Sequence, residues 1–103
     1  MTESEYTHLA DATLNRLEAA LDAAEIDFER AGGGVLELEF DDGSVIVVNK
    51  QAVAQEIWVA AKSGGFHYRW DGAAWRDTRG GEELFAALAR MASAQAGESV
   101  ALG

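Results

Sequence analysis

Four carboxylates, Asp11, Glu18, Asp22 and Glu25, recur at spacings that suit one side of a helix. At about 100° per residue they fall within roughly 60° of one another. Carboxylate oxygens without histidine or cysteine suit hard or borderline cations, and on an open helix flank water must complete the coordination shell. Such a stripe holds a metal weakly. Glu18 with Asp22, and Asp22 with Glu25, are also like-charge neighbours that each cost a helix about a few tenths of a kcal/mol. Tolerance of that repulsion points to a use for the charge. Glu37 and Glu39 carry the acidity onto a neighbouring strand.

Other chemistries are poorly represented. The chain has no cysteine, which removes disulfides, thiolate metal sites and cysteine nucleophiles. It contains no phosphate-binding loop, no Gly-x-Ser-x-Gly elbow and no His-Glu-x-x-His pair. The two histidines, His8 and His67, lie far apart in sequence. Carboxylates on a convex helix flank also lack the concave pocket that paired-carboxylate hydrolysis requires. The sequence therefore predicts a protein that acts by binding, with no catalytic residues of its own.

The formal net charge of −10 is unevenly placed. Residues 1–42 hold twelve carboxylates against Arg16 and Arg30, whereas residues 43–103 hold six acids and six bases. Such an asymmetry predicts attraction to cations or basic protein surfaces and opposes direct nucleic-acid binding. The opening Met1-Thr2-Glu3-Ser4-Glu5 is acidic where a targeting peptide is basic, and no apolar run approaches the roughly 20 residues that span a bilayer. A cytoplasmic protein is expected.

The elements that position these groups follow from periodicity. Tyr6, Leu9, Ala10, Thr13, Leu14, Leu17, Ala20, Leu21 and Ala24 make one apolar stripe, predicting a helix from about Glu3 to Ala24. Thr2 and Glu5 have capping-box spacing. Glu25 to Arg30 alternates acid with apolar before Gly32-Gly33-Gly34 breaks the chain. Val35–Phe40 alternates at period two, with Leu36, Leu38 and Phe40 on one face. Asp42-Gly43 signals a hairpin into Val45–Asn49. Further strands fit Gln55–Ala60, Phe66–Trp70 and the surroundings of Trp75, separated by Gly64-Gly65 and Asp71-Gly72. A last helix runs from Glu82 to about Ala94 and stops at Gly97. The expectation is one α+β domain over residues 1–103, a two-layer sandwich. Both helices pack on one face of an antiparallel sheet of about five to six strands.

In the third strand Gln55, Ile57 and Val59 form the better core set. That choice turns Glu56 and Trp58 to the opposite, solvent face. A tryptophan on an open sheet face is a candidate interface anchor.

Ser4-Glu5-Tyr6, Leu9-Ala10-Asp11, Gly33-Gly34-Val35-Leu36, Asn49-Lys50-Gln51, Ile57-Trp58-Val59, Lys62-x-Gly64-Gly65-Phe66-His67-Tyr68, Trp75 and Gln95-Ala96-Gly97-Glu98 form a set of segments. Together they resemble the frataxin family, in particular its bacterial branch. The resemblance spans essentially the whole chain. Val53 stands where the family usually has proline, and Glu56 where it usually has glutamine. What the resemblance implies is weak, reversible binding of Fe2+ or Fe3+ on an acidic ridge of Asp11, Glu18, Asp22, Glu25 and Asp27. It also implies docking on the cysteine desulfurase and the scaffold protein of iron–sulfur cluster assembly, to regulate or supply them. Glu37 and Glu39 would extend that contact from the ridge. Asn49, Gln51, Trp58 and His67 would form the adjoining contact on the sheet, and the protein would be a monomer. Two other readings stay open. One is an iron-oxidising, iron-storing enzyme that forms oligomers with iron, and the other is a metal-independent acidic module for a basic protein surface.

Overall fold

A computed structural model describes residues 1–103. Helix α1 runs Glu3–Ala23 and opens on the expected capping box. Thr2 Oγ1 accepts from the Glu5 N–H at 3.0 Å, while Glu5 Oε1 accepts from the Thr2 N–H at 2.8 Å. Six strands follow: β1 Asp27–Ala31, β2 Val35–Glu39, β3 Val45–Gln51, β4 Glu56–Ala61, β5 Gly64–Trp70 and β6 Trp75–Asp77. Helix α2, Leu84–Ala96, closes the chain's regular structure. The strands form one antiparallel sheet in sequence order, a simple meander that needs only short turns.

Alternation along the sheet divides its residues into two faces. Leu36, Leu38, Ile46, Val48, Ile57, Val59, Tyr68 and Trp75 point inward and are buried. They join Tyr6, Ala10, Leu14, Leu17 and Leu21 of α1 and Leu84, Phe85, Leu88 and Met91 of α2 in one core. Two polar pins join the layers through that core. The Tyr6 hydroxyl donates to the Glu56 carbonyl at 2.7 Å and accepts from the Gln51 N–H at 3.0 Å. The Trp75 indole N–H donates to Thr13 Oγ1 at 2.8 Å.

The structure departs from the sequence reading in four places. The acid–apolar alternation after Glu25 is a sixth strand, β1, paired with β2 across the glycine turn. Gln55 is not a core residue: it sits in the turn before β4 with φ of 54°, and β4 begins at Glu56. Glu25 lies beyond the helix in a left-handed conformation, φ 59°, so the helical stripe proper is Asp11, Glu18 and Asp22. Finally, α2 begins two residues late because the Glu83 carboxylate serves as its N-cap, accepting from the Phe85 and Ala86 N–H groups. Gly97 ends it as expected, with φ of 73°.

Candidate metal and partner surface

Two of the ridge carboxylates are already neutralised. Lys50 Nζ lies 2.6 Å from Asp11 Oδ1, reaching α1 from β3. Its stem crosses Gly34, where any Cβ would collide with Lys50 Cε. Arg30 lies 2.7 Å from Glu18 Oε2 and donates also to Asn15 Oδ1 at 2.8 Å. No lysine or arginine pairs with Asp22, Glu25, Asp27, Glu29, Glu37 or Glu39. Uncompensated negative charge therefore gathers at the end of α1 and on the outer face of β1 and β2.

Register sharpens that corner. Asp27 is opposite Glu39, and Glu29 is opposite Glu37. Directly paired like charges on one sheet face are destabilising, by about 0.2–1 kcal/mol a pair. Glu25, Asp27, Glu39, Asp41 and Glu98 line a shallow cleft at the same end of the molecule. Asp41 and Glu98 were not among the sequence candidates, because only the fold brings the β2–β3 turn and the segment beyond Gly97 beside β1. No three carboxylates or imidazoles converge closely enough to form a chelating cluster. The donor set fits a hard or borderline cation held loosely, with water as the remaining ligands. Replacing Glu37 by glutamine is expected to raise stability by about 0.2–1 kcal/mol. Urea denaturation checks this; an unchanged or lowered midpoint would show that the pair carries no repulsion.

The other candidates share the outer sheet face. Asn49, Trp58 and His67 are cross-strand partners in a single row, and Gln51, Glu56, Arg69 and Arg76 form the next. The Trp58 and His67 rings stack with centroids 4.3 Å apart and planes 7° from parallel. Trp58 is half-buried and His67 exposed. The unexpected member is Glu56, 5 % exposed although it faces outward. Its Oε1 accepts from the Trp58 indole N–H at 2.9 Å, and its Oε2 accepts from Arg69 at 2.6 Å. His67 Nδ1 lies 3.5 Å from Oε1. Burial pushes the Glu56 carboxyl up, but the Trp58 and Arg69 hydrogen bonds and nearby positive charge outweigh it and hold the group below its ordinary 4.5. A depressed carboxylate contributes stability above its unfolded value and loses it as pH falls through the folded one. The Tm advantage over Glu56→Gln is therefore expected to be flat near neutrality and to close below about pH 4.5. A gap that widened in acid would contradict this.

Residues 1–98 match the model of the frataxin-like domain. The chain belongs to the frataxin family. Within that family it is 57 % identical to the iron-sulfur cluster assembly protein CyaY of Dechloromonas aromatica, with 99 % of each chain covered. Among solved structures, frataxin from Psychromonas ingrahamii superposes with a TM-score of 0.90 at 28 % identity, covering 98 % of this chain and 97 % of that one. A trimeric frataxin from the yeast Saccharomyces cerevisiae, complexed with ferrous, gives a TM-score of 0.68 at 26 % identity. It covers 95 % of this chain and 88 % of the yeast chain. These structures share the two helices and antiparallel sheet found here. No helix is long and apolar enough to cross a membrane.

Proposed function

We propose that the chain is an iron-binding regulator of iron–sulfur cluster assembly in the bacterial cytoplasm, acting by docking rather than by catalysis. The observation that carries this reading is the adjacency of two surfaces. The uncompensated carboxylates of β1 and β2, Asp27, Glu29, Glu37 and Glu39, lie on the same outer sheet face as Asn49, Gln51, Trp58 and His67, and the end of α1 adds Asp22 and Glu25 beside them in sequence. Fe2+ or Fe3+ is the cargo of the corner, held weakly by Asp22, Glu25 and Asp27, with Glu37 and Glu39 close behind. Asp11 and Glu18 join only when Lys50 and Arg30 release them. The same negative field attracts basic residues of a cysteine desulfurase, and the row of Asn49, Trp58 and His67 meets the desulfurase or its scaffold protein. The names of the bacterial relatives and the ferrous complex of the yeast homologue support this reading.

Binding of purified desulfurase, with its scaffold protein, to wild type and Trp58→Ala tests it. A hot-spot tryptophan gives about 30-fold weaker binding on truncation, and the wild-type affinity falls steeply with salt. Binding indifferent to both salt and Trp58→Ala would overturn the proposal. The trimeric state of the yeast homologue favours a second reading, iron-driven assembly for storage. Light scattering during aerobic Fe2+ addition distinguishes it: storage predicts growing particles and catalysed oxygen consumption, whereas a regulator stays monomeric.

A further inference from the structure

A carboxylate that faces away from the core yet is almost wholly buried needs a reason. Glu56 is such a group, and every strong contact it makes is to a side chain on the outer face. Trp58, two residues along β4, gives it the indole N–H; Arg69, its cross-strand partner on β5, gives it a guanidinium N–H. His67 is the partner of Trp58 on β5, and its Nδ1 lies within ion-pair distance of the same carboxylate. Arg69 continues the row onto β6 through its cross-strand partner Arg76, which is itself paired with Asp71. Glu56 is the only carboxylate paired with His67.

We propose that Glu56 is a positioning residue for the sheet-face contact, holding the Trp58 and His67 rings as one rigid stack. The proposal rests on the reading that this face docks a partner. Its physical content is preorganisation. An exposed tryptophan has two side-chain torsions to lose on binding, and ordering a side chain at an interface costs roughly 0.5–1.5 kcal/mol. Here the indole is fixed beforehand by a hydrogen bond and a stacked neighbour. The arrangement also sets specificity. The indole N–H is consumed within the protein, so Trp58 offers a partner only carbon surface, and the polar group beside it is the open edge of His67. The partner is therefore recognised as one presenting an apolar side chain to Trp58, with a polar atom near His67. A partner that needs a hydrogen bond from the indole is refused.

The test compares Glu56→Gln and Glu56→Ala with wild type and Trp58→Ala. Glutamine keeps a carbonyl oxygen for the indole N–H but removes the charge; alanine removes the acceptor. In 15N-edited NMR spectra the Trp58 indole N–H of wild type and Glu56→Gln is expected to exchange slowly. The His67 ring protons of both should show the upfield shift of a stacked ring. Both signatures are expected to vanish in Glu56→Ala while the rest of the amide spectrum stays folded. Affinity for purified cysteine desulfurase with its scaffold protein should fall about tenfold in Glu56→Ala and return in Glu56→Gln. Wild-type affinity in Glu56→Ala, alongside weakened binding in Trp58→Ala, would overturn the positioning role and leave the docking reading intact. Wild-type affinity in Trp58→Ala would remove the docking reading itself. Were Glu56→Ala to unfold, Arg69→Ala with Glu56→Gln still decides: the proposal predicts a protected indole N–H there, and its loss would count against the carbonyl acceptor as the clamp.

Discussion

Trp75→Ala is expected to lower the melting temperature by roughly 15–30 °C. Trp75 is 2 % exposed and lies on β6, the last and shortest strand. Its ring meets Tyr6 edge-on at 6.2 Å and Trp70 at 5.5 Å. Truncating a buried tryptophan to alanine costs about 3–5 kcal/mol. In a domain near 100 residues each kcal/mol is worth about 4–8 °C. A second loss adds to the cavity. Thr13 Oγ1 accepts from the Trp75 indole and donates to the Leu9 carbonyl at 2.8 Å. Without Trp75, β6 has no polar tie to α1. Trp75→Phe separates the two effects: it fills most of the space but loses the bond to Thr13, and a cost of about 1–2 kcal/mol is expected. Thermal denaturation followed by near-ultraviolet circular dichroism measures both variants. A fall of only a few degrees in the alanine variant would show that β6 is dispensable to the core.

The second large effect is electrostatic. Asp22→Asn, Glu25→Gln and Asp27→Asn together take the formal charge from −10 to −7. They remove only carboxylates that no cation of the chain already pairs. Because steering by a charged face raises association rates by about 10–10³-fold, the triple variant is expected to associate with the desulfurase on the order of 10–100-fold more slowly at low ionic strength. The difference should shrink as salt is raised, since the Debye length is about 8 Å at physiological ionic strength. Asp11→Asn with Glu18→Gln provides the contrast, with a smaller expected loss because Lys50 and Arg30 already mask those two groups. Association rates measured by stopped flow across a salt series check the comparison. An equal loss in the two variants would mean that the internal pairs do not focus the field.

Much of the fold was legible because it rests on local signals. The capping box at Thr2 and Glu5, the turns at Asp42-Gly43 and Asp71-Gly72 and the stop at Gly97 each depend on residues within four positions of one another. Strand β1 was less legible. Among its residues only Phe28 packs inward against the core, and Arg30, which shares the inner face, reaches to α1 instead. The acid–apolar alternation over Glu25–Arg30 marked the segment, but with one apolar contact in the strand it was too short a signal to separate a strand from a loop. Gln55 was misplaced because a non-glycine residue at positive φ leaves no mark in an alternation pattern. The acidic stripe was visible by spacing, but its division was not. Lys50 and Asp11 are 39 positions apart, and Arg30 and Glu18 are 12. Which carboxylates stay uncompensated depends on the register of β1 and β3 beneath the helix. Glu56 shows the same limit: alternation turned it outward correctly, but only the packing of Trp58, His67 and Arg69 around it shows that it is buried.

An anaerobic titration with Fe2+, followed residue by residue in 15N-edited NMR spectra, tests the central claim most directly. Signals of Asp22, Glu25 and Asp27 are expected to broaden first, followed by Glu37 and Glu39. Asp11 and Glu18 should respond only at higher iron, and Asn49, Trp58 and His67 should be spared. First broadening at His8 or His67, or no selective broadening up to millimolar iron, would contradict the assignment of the α1–β1–β2 corner as the iron-binding surface.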